Sequence, residues 1–164
     1  MKNYLRWKKP FFSDSYSIYS ANQIVGILKD KTFSHSATGK LKGKEYTFKT
    51  IGIFKQTTKI IDNSENKVIG TIDYSNWMTK ATLSISGKSI FWKYDNCWNT
   101  RWSIHNNKDI EIKYAGSSSG GTIECNYDDP LLILCGLFVT NYYWQVSMAV
   151  MVAIFVPILT ATLN

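Results

Sequence analysis

PLLILCGLFVTNYYWQVSMAVMVAIFVPILTATLN, Pro130 to Asn164, contains no Lys, Arg, Asp, Glu or His. As a helix it would extend about 50 Å at 1.5 Å per residue, more than the roughly 30 Å hydrocarbon core of a bilayer requires. An uncharged run of this length has to be hidden in protein, in lipid, or partly in each. Its start is well marked. Asp129 suits the N-cap, Pro130 suits the first helical position, and Asp128 and Asp129 both suit the positive end of a helix dipole. The run has two parts. Residues 131–140 are apolar on every face, 141–145 (NYYWQ) form a polar-aromatic break, and 146–163 are apolar again, with Pro157 inside. Tyr142, Tyr143 and Trp144 fit a membrane interface, and they fit equally the place where a helix leaves a protein core. Residues 146–164 are thus an apolar extension and a candidate membrane anchor.

The charge lies elsewhere. All nineteen Lys and Arg fall within residues 1–113 against nine acids, a net of +10 there, and the whole chain carries +7. A basic body joined to an apolar segment suits an anionic membrane surface, and it is also compatible with a lysine-rich solvated surface. The N-terminal MKNYLRWKKPFF lacks the apolar run of a signal peptide, so the body is expected in the cytoplasm. If the extension spans a membrane, the positive-inside rule puts the basic body on the cytoplasmic face. Cys97, Cys125 and Cys135 are widely spaced and form no C-x-x-C, which points to free thiols rather than a disulfide framework or zinc site.

Upstream of Asp129 the pattern is that of strands. Segments 16–20, 24–28, 33–40, 45–50, 53–61, 68–73, 81–85, 89–94, 101–105, 109–114 and 121–125 are separated by Gly, Asn and Ser, with Gly39, Gly43 and Gly52 read as breaks. Ala81, Leu83 and Ile85 alternate with Thr82 and Ser84; Ile110, Ile112 and Tyr114 alternate with Glu111 and Lys113. Period-two patterning with one apolar face describes an antiparallel sheet over a core. About a dozen short strands at hairpin spacing point to a barrel or sandwich. A closed barrel has no exposed edges, and the 131–140 helix is available to fill its lumen. Residues 1–145 then form one domain.

The order of many short strands followed by an acidic cap and one apolar helix resembles the tubby-like superfamily. That group includes the tubby C-terminal domain, the plant LURP-one-related proteins and the phospholipid scramblases. The resemblance is carried by Tyr16-Ser-Ile-Tyr-Ser20 with Ile24-Val-Gly26, Lys67-Val-Ile-Gly-Thr-Ile72, Ala81-Thr-Leu-Ser-Ile85, Ile90-Phe-Trp-Lys-Tyr94 and Asp129-Pro-Leu-Leu-Ile-Leu134, and covers about residues 12–145. It implies a roughly twelve-stranded antiparallel barrel threaded by its C-terminal helix. Among relatives it implies phosphoinositide binding through basic residues, or lipid scrambling with calcium bound near the helix. The sequence lacks the Cys- and Pro-rich N-terminal region and the acidic calcium cluster of the scramblases, and it continues beyond the barrel helix.

The remaining candidate sites are few. Gly87-Lys88-Ser89 lacks the upstream Gly of a phosphate loop and sits in a hairpin. His35 and His105 belong to no hydrolytic motif. Lys40, Lys42 and Lys44 in GKLKGKE would project to one face at strand spacing, and Lys8 and Lys9 could join them in a lipid-headgroup patch; solvated lysines are the alternative. Trp92, Trp98 and Trp102, with Phe91 and Tyr94, cluster in sequence and are best explained by barrel packing. No nucleic-acid signature accompanies the basic charge. The expected protein is non-enzymatic, without a cofactor or metal, binding or scaffolding at an anionic membrane. A soluble barrel using its extended helix for a homo-oligomer or partner is the alternative, and scrambling a third option from the resemblance only.

Overall fold

The computed structural model of the chain describes residues 2–31 and 34–162. Twelve strands form one closed antiparallel barrel, each paired with its neighbours in sequence and β1 closing onto β12. They are β1 (Asn3–Lys8), β2 (Ser15–Ser20), β3 (Gln23–Lys31), β4 (Ser36–Leu41), β5 (Lys44–Ile51), β6 (Thr57–Asp62), β7 (Lys67–Tyr74), β8 (Lys80–Ile85), β9 (Lys88–Tyr94), β10 (Arg101–His105), β11 (Glu111–Gly116) and β12 (Gly120–Cys125). A single helix, α1 (Pro130–Thr162), follows.

Alternation explains the lumen. Leu5 and Trp7, Tyr16 and Ile18, Phe48, Ile60, Ile72, Leu83, Trp92, Trp102, Ile112, Tyr114 and Ile123 are all buried, and most of their strand neighbours are not. Thirteen helix residues, Leu131 to Tyr143, fill the space they enclose. The cap forms as its residue types require. Asp129 Oδ1 accepts from the backbone N–H of Leu131 (2.8 Å) and Leu132 (3.2 Å), and Asp129 O accepts the first helical bond from Ile133 N. Asp128 is used differently, taking Lys42 Nζ and Asn3 Nδ2.

Three features depart from the expectations. First, NYLRWK is strand β1, buried through Leu5 and Trp7; Tyr4, Arg6 and Lys8 face out, and only two apolar inward positions mark the alternation. Second, β6 begins at Thr57, and residues 53–56 belong to a loop with Ile53 and Phe54 in solvent. Third, Gly39 is no break: it lies within β4 facing α1, where a Cβ would come 3.0 Å from Leu134. Room for the helix, not a turn, accounts for that glycine. Phe33, expected to start a strand, and Leu163, expected to end the apolar extension, lie outside the described residues.

Trp102 and Trp92 hold the helix from the wall. Both indole N–H groups donate to Gly136 O, at 3.1 and 3.3 Å, and Thr140 Oγ1 donates to the same carbonyl at 2.8 Å. Tyr114 Oη reaches Leu132 O (3.2 Å) and Ile133 O (3.1 Å). Phe48 stacks on Phe138 at 4.6 Å.

Candidate functional site

The barrel has two unlike ends. Where α1 enters, neighbouring strands are joined by tight connections; Ala21-Asn22, Lys42-Gly43 and Ser86-Gly87 are two-residue turns with positive φ at both positions. Where α1 leaves, β1–β2, β5–β6, β7–β8 and β9–β10 are joined by loops of five or six residues, and the helical turn 141–145 passes through the mouth.

A polar knot secures that mouth. Asn141 Nδ2 donates to both oxygens of Asp30 on β3 at 2.9 Å, and Gln145 Nε2, one turn later, donates to Asp30 Oδ2 at 2.9 Å. Asn141 Oδ1 accepts from Lys9 Nζ and from Tyr16 Oη, each at 2.9 Å. Gln145 Oε1 accepts from His35 Nδ1 at 3.0 Å, which places the ring proton on Nδ1. Desolvation raises the Asp30 carboxyl above the ordinary range, opposed by the Asn141 hydrogen bonds and Lys9; desolvation also lowers the Lys9 ammonium, opposed by Asp30. The oxygens of Asp30 are thus committed to α1, and the carboxylate acts as a clasp on the helix.

Tyrosines complete the mouth. Tyr142 stacks on Tyr74 at 3.8 Å and donates to Gln56 Oε1 at 2.6 Å. Tyr143 donates to Lys80 O and accepts from Ser75 N. Tyr142 and Tyr143 are therefore buried in the barrel mouth, at the point where the helix leaves the barrel. Trp144 is half-buried, edge-on to Trp102, and borders an open cleft of about 800 Å³ shared with Lys9, Phe12, Asp30, His35 and Met148.

The five candidate lysines are divided between the two ends of the barrel. GKLKGKE is two strands and a turn, because Lys42 and Gly43 (φ 50 and 81) reverse the chain between the paired Leu41 and Lys44. Lys40 and Lys44 are exposed at the entry end and Lys42 is held by Asp128, whereas Lys8 and Lys9 lie at the exit end, Lys9 bonded to Asn141. His35 and His105 also lie at opposite ends, so they share no site. Trp92 and Trp102 are core residues, while Trp98 is 81% exposed in the loop between β9 and β10. Among the described residues, no group of three or more His, Cys, Asp or Glu side chains is placed to hold a metal ion.

Past the mouth the helix changes character. From Met148 to Leu159, nine large apolar side chains stand 47–61% exposed. The outer apolar window of α1 has a mean hydropathy of 1.9 and no buried residue. Hiding such side chains is worth about 1.5–3 kcal/mol each for full burial, so even half of that sum approaches the whole stability of a typical domain.

Compared with family models, curated proteins and solved structures, the chain gives no match.

Proposed function

We propose that this chain is a non-enzymatic, membrane-associated β-barrel domain, held to a bilayer by the outer half of the helix that fills its lumen. The observation that carries this reading is the two-part helix. Leu131–Tyr143 are buried in the barrel, and beyond Gln145 the same helix presents apolar side chains to every side. Residues 146–162 rise about 25 Å, close to the thickness of a hydrocarbon core. The excess of Lys and Arg in the barrel supports a cytoplasmic position by the positive-inside rule, and an anionic leaflet as its surface. A closed twelve-stranded barrel around a C-terminal helix supports the tubby-like resemblance, and with it a role in lipid binding or scaffolding.

Carbonate extraction of the full chain beside a version ending at Gln145 tests the anchor. Resistance of the full chain, with a soluble, folded truncation, is the expected result. If both stay in the supernatant, the helix instead serves a homo-oligomer or partner, the reading favoured only by its exposed apolar surface.

A further inference from the structure

Membrane contact need not end at the helix. The turn 141–145 touches the roots of the loops around it: Lys9 and His35 through Asn141 and Gln145, Gln56 through Tyr142, Ser75 and Lys80 through Tyr143. Exposed Met148 follows buried Tyr143 after a rise of only about 7.5 Å. A bilayer holding the outer helix therefore lies against these loops.

Their tips carry large apolar side chains in water. Phe11 and Phe12 are 81% and 99% exposed, Ile53 and Phe54 are 87% and 102%, and Trp77 and Trp98 are 86% and 81%. They come from four separate connections: β1–β2, β5–β6, β7–β8 and β9–β10. The connections at the entry end present a single exposed large apolar side chain among the described residues, Tyr127 at 43%. Phe12 holds its tip with φ 64, a left-handed backbone that is costly for a bulky residue. Exposed cations lie in or at the ends of these four connections: Lys8, Lys55, Lys80 and Arg101. The exposed acids of these loops, Asp14 and Asp95, are each paired with a strand lysine, Lys29 and Lys93.

We infer that these loops form a collar that inserts into the headgroup–acyl boundary of an anionic bilayer around the emerging helix. Aromatic tips with lysine and arginine in the same connections match the chemistry of that boundary, where rings prefer to lie and cations meet lipid phosphate. A bilayer is favoured over a protein partner because the tips stand on four of the six connections around the mouth from which the helix emerges, and the outer helix is exposed and apolar on every side. The inference rests on the membrane reading above, and extends it by assigning headgroup contact to the exit end and not to Lys40, Lys42 and Lys44.

The protein carries a convenient probe position. Cys97 is exposed beside Trp98, while Cys125 and Cys135 are buried. A polarity-sensitive fluorophore is placed on Cys97 of the full chain, and in a Cys97→Ser background on F54C, W77C, E65C and N107C. Each is combined with phosphatidylcholine–phosphatidylserine vesicles containing a lipid-borne quencher, with flotation run in parallel. The labels at 97, 77 and 54 are expected to shift to the blue and be quenched, and those at 65 and 107, at the entry end, to remain in water. If the chain floats but every loop label stays aqueous, the collar is wrong and the anchor stands. If the chain does not float, both fall. Blue-shifted collar labels before vesicles are added would mean that the tips meet another copy, which also overturns the inference.

Discussion

Gly136→Ala should destabilise this protein, although the same change in an ordinary helix interior stabilises by about 1 kcal/mol. A Cβ on Gly136 would lie 2.6 Å from Tyr114 Cε2 and closer still to its Cζ and Oη. Tyr114 has little freedom to retreat. Its ring stacks on Trp102 at 5.5 Å, and its hydroxyl is bonded to the carbonyls of Leu132 and Ile133. Forcing the helix and ring apart costs about 1–3 kcal/mol in overpacking. Loss of the buried hydroxyl's partners costs about another 1–3 kcal/mol. Set against the gain in helix propensity of about 1 kcal/mol, the net loss is about 1–5 kcal/mol. In urea unfolding followed by tryptophan fluorescence in mild detergent, the midpoint should fall by about 0.5–2.5 M for a slope of about 2 kcal/mol/M. Combining Gly136→Ala with Tyr114→Leu should cost less than the sum of the two, by about 1–3 kcal/mol, because the clash is shared. A neutral or stabilised Gly136→Ala would refute the placement of α1 against β11 and the threaded lumen with it.

Other outcomes follow from the mouth, the thiols and the charge layout. Because burial raises the Asp30 carboxyl in the folded state, wild type should lose stability relative to Asp30→Asn as pH rises from the ordinary 3.8 through the raised value, and the difference should be flat on either side; denaturation of both across pH checks this. A thiol reagent should modify one cysteine in the native chain and three after denaturation, since burial pushes Cys125 up to about 12 and Cys135 well above its usual value while Cys97 is exposed. Reversing charge at Lys55, Lys80 and Arg101 should slow association with anionic vesicles at low salt; reversing Lys40 and Lys44 should not. Equal slowing in stopped-flow energy transfer would remove the distinction between the two ends.

The cap and the late strands are readable from local chemistry. Asp129 and Pro130 mark the helix start because a cap needs only neighbouring residues, and Ile112 and Tyr114 alternate with Glu111 and Lys113 because that wall has one wet side. Strand β1 is harder to see, since Leu5 and Trp7 sit among Asn3, Arg6 and Lys8, and its partner β12 lies more than a hundred residues away. NYYWQ reads as a break because polar residues in an apolar run signal a helix end. Here Asn141 and Gln145 find Asp30, and the helix continues without interruption. The lysines of GKLKGKE look like one face until Gly43 turns the chain. The grouping of Phe11, Phe12, Ile53, Phe54, Trp77 and Trp98 has no signal along the chain at all. Its members are brought together only by closure of the barrel, and Trp98 in particular looks no different from the core residues Trp92 and Trp102.

That one helix serves first as core and then as anchor can be tested along its own length. In a Cys97→Ser background, where Cys125 and Cys135 stay silent, single cysteines replace Leu137, Met148, Met151, Phe155 and Leu159 and are challenged with a water-soluble maleimide, with and without phosphatidylcholine–phosphatidylserine vesicles. Position 137 should resist the reagent in both conditions, and positions 148–159 should react freely in water and become protected in vesicles. Protection of 148–159 without vesicles, or free reaction within them, would contradict a helix divided between barrel and membrane.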